Sequence, residues 1–110
     1  VWQAILAGFL AELAPLIGKA ISAAIQAIIQ KLFNKIAPTL PAATGNDGAD
    51  RLTLIEAAIK ATKPRQVFVR GALHRMHAAV TTALAEGRPL TAADVSDVPQ
   101  FMQVAVARGE

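Results

Sequence analysis

The chain has 110 residues, of which 54% are hydrophobic and only 17% charged, and its formal net charge is +3. That length allows one domain or two very small units, with enough buried surface for a core without staples. The absence of cysteine excludes disulfides, zinc–thiolate sites and thiol nucleophiles. The apolar excess lies in Ala, Ile and Leu, with few aromatics, which points to helices and away from sheet.

Residues 1–37 read as helix. Pro15 removes a backbone donor and Gly18 follows, which predicts a kink or break near 14–18. The expectation is two helices, about 1–14 and 19–37, or one bent rod. Ser22, Gln26, Gln30 and Asn34 recur every four residues and form one narrow polar stripe. The remaining faces carry Ile21, Ile25, Ile28, Ile29, Leu32, Phe33 and Ile36, a wider apolar surface than an ordinary surface helix shows. Glu12, Lys19, Lys31 and Lys35 interrupt the run, so a conventional membrane span is not expected. A secretory signal is not expected, because the apolar run as given carries no basic residues ahead of it.

Residues 38–49 combine Pro, Gly, Asn and Asp and read as a linker. Thr53 and Glu56 have capping-box spacing, with Asp50 as a competing cap, ahead of a helix over about 51–62. Pro64 suits the first turn of the next helix, about 65–86. That helix has the best amphipathic pattern of the chain, with Val69, Ala72, Leu73, Met76, Val80, Ala83 and Leu84 on one face. Gly87 is its natural stop. Thr91 with Asp94 forms a second capping box, and Pro99 opens a last helix through about Ala107. The fold class is therefore all-α: a long apolar N-terminal helix or kinked helix pair, plus a small C-terminal helical bundle. The expected division is an apolar arm at 1–37, the linker at 38–49, and an amphipathic unit at 50–110 with a basic face.

The basic stretch is the most specific chemical feature. No acid lies between Glu56 and Glu86, an interval that holds Lys60, Lys63, Arg65, Arg70, His74, Arg75 and His77. Cations without counter-charge create a positive field that attracts nucleic-acid phosphates or anionic lipid headgroups, so these seven are the candidate contact residues. The bland reading is a solvated face that keeps an apolar protein in water. No aromatic ladder accompanies the charges, which argues against base stacking. The connection at 61–65 lacks a glycine turn, and the cations scatter around the helix, so a helix-turn-helix reader of DNA is disfavoured. His74 and His77 are three apart, but no recognised spacing supplies further ligands, and no metal or cofactor is expected.

Catalytic residues are not expected either. Ser22 lies in the apolar half, and Ser96 sits between Asp94 and Asp97 without nucleophile-elbow glycines. There is no phosphate-binding loop and no dinucleotide fingerprint. Three coverings suit the arm: the helices of 50–109, further copies or a protein partner, or a membrane interface with Lys19, Lys31 and Lys35 toward the headgroups and Trp2 near the boundary. The face assigned to assembly or membrane contact is Trp2, Phe9, Ile21, Ile25, Ile28, Ile29, Leu32 and Phe33. The functional expectation is a non-enzymatic helical assembly protein that forms homo-oligomers or joins a larger assembly, and that contacts genome or membrane. A small multi-copy virion component fits, at a virion or membrane surface in preference to free cytoplasm and with no small-molecule substrate. The alternatives are a membrane-permeabilising effector and a nucleic-acid-binding module.

Overall fold

In the computed structural model, residues 1–18 and 22–110 are described, and five α-helices account for most of them. Helix α1 spans Trp2–Ile17 and continues through Pro15, which lies on its exposed side, before Gly18 closes it at φ 63°. Helix α2 spans Ala23–Ile36. Ser22 stands outside that helix as its N-cap and accepts the Ile25 N–H at 3.3 Å, so the expected stripe loses its first member. Gln26, Gln30 and Asn34 do share an exposed side, and Gln30 donates to Asn34 at 2.9 Å.

A short 3-10 turn at Ala37–Thr39 follows, led by Pro38. Helix α3 spans Asp47–Ala61, four residues earlier than the capping pattern suggested. Its cap is Asn46, whose side chain accepts the Ala49 N–H at 3.0 Å. Asp50 instead faces backwards and is buried. It accepts the Thr44 N–H and hydroxyl at 2.9 and 2.8 Å and the Gly45 N–H at 3.2 Å. Those bonds, led by the Thr44 amide, hold its carboxyl below the ordinary carboxylate value despite burial. The segment expected to be a linker is therefore tied to α3 at one end. At the other, the Trp2 indole donates to the Pro41 carbonyl at 2.7 Å and ties it to α1.

Helix α4 spans Val67–Glu86. It is capped at its start by a distant side chain: Glu110 accepts the Phe68 and Val69 N–H groups, each at 3.0 Å. At its end Gly87 adopts the left-handed conformation, and the Arg88 N–H returns to the Ala83 carbonyl at 3.0 Å. A 3-10 turn at Ala93–Val95 is opened by Asp94, which accepts the Thr91 N–H at 2.8 Å. The same carboxylate receives two Arg88 nitrogens at 2.7 and 3.0 Å, and this pairing, foremost, pulls it far below 3.8. Helix α5, Val98–Ala107, begins with Pro99 in its first turn.

These helices share one core. Leu6, Phe9 and Leu13 of α1 and Ile25, Leu32, Phe33 and Ile36 of α2 are buried with Leu54 and Ile55 of α3. Val69, Leu73 and Met76 of α4 and Met102 of α5 complete the same cluster. The radius of gyration is 13.0 Å, the value for a single packed domain of about 100 residues. Of the three coverings considered for the arm, the structure contains the first: the inner sides of α1 and α2 rest on α3, α4 and α5. Among the described residues no helix is long and apolar enough to cross a membrane.

Candidate functional site

The residues of the basic stretch do not form one face, because the fold divides them by task. Arg70 is half-buried and holds the α3–α4 connection, donating to the Thr62 hydroxyl at 2.9 Å and the Lys63 carbonyl at 3.0 Å. Arg75 lies over the Phe101 ring, 3.8 Å from its centroid, and donates to the Gly71 carbonyl at 3.2 Å. Its Nε has no hydrogen-bond partner, since the Asp97 carboxylate is 3.8 Å away. His77 meets Glu56 at 2.9 Å. His74 is exposed on α4. The interval that is free of acid along the chain thus receives Glu56, Asp97 and Glu110 from other elements. The cations of that run therefore differ in what they meet, some an acid of another element and some a neutral group.

Lys63 and Arg65 take a different course. They turn to a groove of about 480 Å³ where the α3–α4 connection and the end of α5 meet α2. Across from them stand Lys31 and Lys35 of α2, two positions that sequence reasoning assigned to the apolar arm and not to the basic site. The floor is aliphatic, with Ala27, Ile28, Leu32 and Ala61. Lys35 donates to the Ala61 carbonyl at 3.1 Å and Arg65 to the Gly109 carbonyl at 3.0 Å. These partners are neutral, so they orient the two cations without cancelling their charge. The carboxylate at the groove, Glu110, has only 2% of its side chain exposed. It is spent on the α4 amides and on Arg108 at 3.0 Å. The spacing 27, 28, 31, 32, 35 along α2 was the available signal, because those positions share one helical side. Lys60 borders a separate shallow cavity with Thr53 and Glu56 that reaches the opposite side of Lys35.

The face assigned to assembly or membrane contact is redistributed. Phe9, Ile25, Leu32 and Phe33 are buried in the chain's own core. Apart from the edge of Leu32 that lines the groove, they are unavailable to a partner without separating α1 and α2 from the other helices, because apolar stripes of amphipathic helices turn to the nearest core. Ile29 is half-buried beside the same core, Ile28 forms the groove floor, and Trp2 is half-buried where it bonds Pro41. Ile21 lies outside the described residues. What α1 turns outward is Gln3 and the small residues Ala4, Ala7, Gly8, Ala11, Ala14 and Pro15. The one charged side chain of α1, Glu12, is paired with Arg51 at 2.6 Å, and Arg51 also lies 5.4 Å from the Phe9 ring centroid. No family model, curated protein or solved structure matches this chain.

Proposed function

We propose that this chain is a non-enzymatic helical assembly protein. It associates with further copies, or within a larger multi-copy particle such as a virion, through the outward side of α1. The observation that supports this reading is the chemistry of that side: over Trp2–Ile17 the one charge is already satisfied by Arg51, and apart from Gln3 the exposed positions carry only Ala, Gly and Pro. Surfaces of freely soluble domains carry roughly a quarter to a third charged residues. A flat Ala and Gly face lets a second helix approach closely and gives little to hold it in water.

The test is light-scattering mass against concentration for the wild-type chain, Ala7→Glu and Ala11→Glu. A discrete oligomer that dissociates in either variant is expected. Both positions are exposed, so the variants should keep their helicity. A monomer at every concentration refutes association between copies. Flotation with neutral phosphatidylcholine vesicles separates the competing membrane-active reading. Capture of the wild type and release of Ala11→Glu would mean that the same face enters a bilayer instead.

A further inference from the structure

The groove between α2 and the α3–α4 connection has a charge pattern and a floor that suit one kind of ligand. Lys31, Lys35, Lys63 and Arg65 stand around it, contributed by segments about thirty residues apart in the chain. Two of the four are fixed by backbone carbonyls, Ala61 for Lys35 and Gly109 for Arg65. The side chains of Lys31 and Lys63 are exposed. Against the four stands the Glu110 carboxylate, which already faces two amide donors and Arg108. The groove stays net positive even if a backbone carboxylate at Glu110 is counted as well. Such a rim recognises an anion, and phosphate best uses several lysine and arginine donors at once.

The floor decides what is attached to that phosphate. Ala27, Ile28, Leu32 and Ala61 present aliphatic surface and no aromatic side chain. Nucleobases bind by stacking on aromatic or guanidinium planes, and the one guanidinium here is tied to Gly109. Aliphatic floors favour aliphatic chains. The volume of about 480 Å³ lies within the range of small-ligand sites, about 300–1,000 Å³. We infer that this groove binds a phosphate-headed amphiphile: the phosphate sits among Lys31, Lys35, Lys63 and Arg65, and the first carbons of its chain lie along Ala27, Ile28 and Leu32. The chemistry is shared by an acidic phospholipid of a membrane and by a free alkyl phosphate. It does not depend on the association of α1 with other copies.

The experiment is calorimetric titration of the full chain with decyl phosphate below its micelle concentration. Inorganic phosphate and a short DNA duplex serve as comparison probes. Expected is saturable binding of decyl phosphate, at least tenfold weaker binding of inorganic phosphate, and at least a tenfold loss in Lys31→Gln/Lys63→Gln. Neither side chain makes a hydrogen bond within the chain among the described residues, so folding should be unaffected, as circular dichroism will check. Ala27→Asp places an anion at an exposed position of the groove floor and should abolish binding. Lys60→Gln removes one positive charge outside the groove and should change affinity less than twofold. Capture by phosphatidylglycerol vesicles that is lost in Lys31→Gln/Lys63→Gln identifies a membrane lipid as the source, whereas decyl phosphate binding without vesicle capture identifies a free amphiphile. The inference is overturned if decyl phosphate does not saturate, if the double variant or Ala27→Asp binds like wild type, or if inorganic phosphate binds equally well. It is also overturned if the duplex binds through these lysines and decyl phosphate does not, which would make the groove a nucleic-acid contact.

Discussion

Leu13→Ala tests whether the N-terminal arm belongs to the common core or hangs from it. Leu13 is 1% exposed and faces two small voids, of about 10 and about 50 Å³, shared with Leu10, Ile29 and Met76. Truncation removes three carbons, about 2.4 kcal/mol at ~0.8 kcal/mol per buried methylene. A residual cavity of about 50 Å³ would add about 1 kcal/mol at ~24 cal/mol per Å³. Met76, an unbranched side chain that can lean into the space, reduces that second contribution. The expected loss is therefore about 3 kcal/mol, and for a domain of this size the melting temperature falls by about 12 °C. The decisive assay is amide hydrogen exchange read separately in α1 and α4. If one core spans both halves, the most protected amides of α4 accelerate by the same factor as those of α1, near 100-fold for ~3 kcal/mol. Unchanged exchange in α4 with fast exchange confined to α1 and α2 would refute the reasoning, because it would mean that the arm unfolds by itself.

The other predictions concern close approach, capping and acid. At Gly71 an added Cβ would lie 2.7 Å from the Phe101 ring, which is clamped between Arg75 and Phe68, so Gly71→Ala should destabilise by about 1–3 kcal/mol in chemical denaturation. At Gly48 the same atom meets the tip of Leu84, 46% exposed and free to turn away. Gly48→Ala should therefore gain from helix propensity, by up to about 1 kcal/mol in the same assay. Glu110→Ala strips the cap from α4 and should cost about 1–2 kcal/mol, with faster amide exchange at Phe68 and Val69. Asp94 and Asp50 are both depressed in the folded chain, so the stability they supply is present above the ordinary 3.8 and is lost as pH falls through their folded values. The melting temperature should drop below about pH 4, and Asp94→Asn should make that drop shallower. An equal drop in Asp94→Asn would mean that the Arg88 pairing contributes nothing to folding.

Helix identity was legible where local signals and burial agree. The 65–86 pattern located α4 within two residues, and its inward face was read correctly except for Leu84, which lies past the edge of the buried stripe, and Ala79, which is buried and was not named. Gly87, the Thr91–Asp94 box and Pro99 acted locally and were visible as such. Positions that depend on distant partners were not. Asp50 has the composition and place of an N-cap, yet its carboxylate serves amides behind it, because Asn46 caps the helix one turn earlier. Glu110 caps a helix that begins over forty positions away, which no local window contains. The groove was half legible: Lys63 and Arg65 were singled out, while Lys31 and Lys35 were read as part of an apolar arm because only the packing of α2 on the rest of the chain brings the two pairs together.

The arm illustrates why apolar composition alone does not define an interface. Residues 1–37 are too apolar for a helix that meets water on most sides, and the bulk of that excess, Phe9, Leu13, Ile25, Leu32 and Phe33, is absorbed by the chain's own core. Were the aliphatic surplus the contact surface for other copies, α3, α4 and α5 would have lost their cover, since Leu54, Leu73 and Met76 meet the same side chains. On the proposed reading, the surface that would meet a partner is the small-residue side of α1, where side-chain entropy lost on contact is nearly zero and close approach is cheap. Association through it would rest on packing alone, about 25 cal/mol per Å² of apolar area, with no charge pair to set direction. Such a contact gains strength from repetition, as in a multi-copy particle, and a single negative charge at Ala7 or Ala11 should be enough to dissolve it.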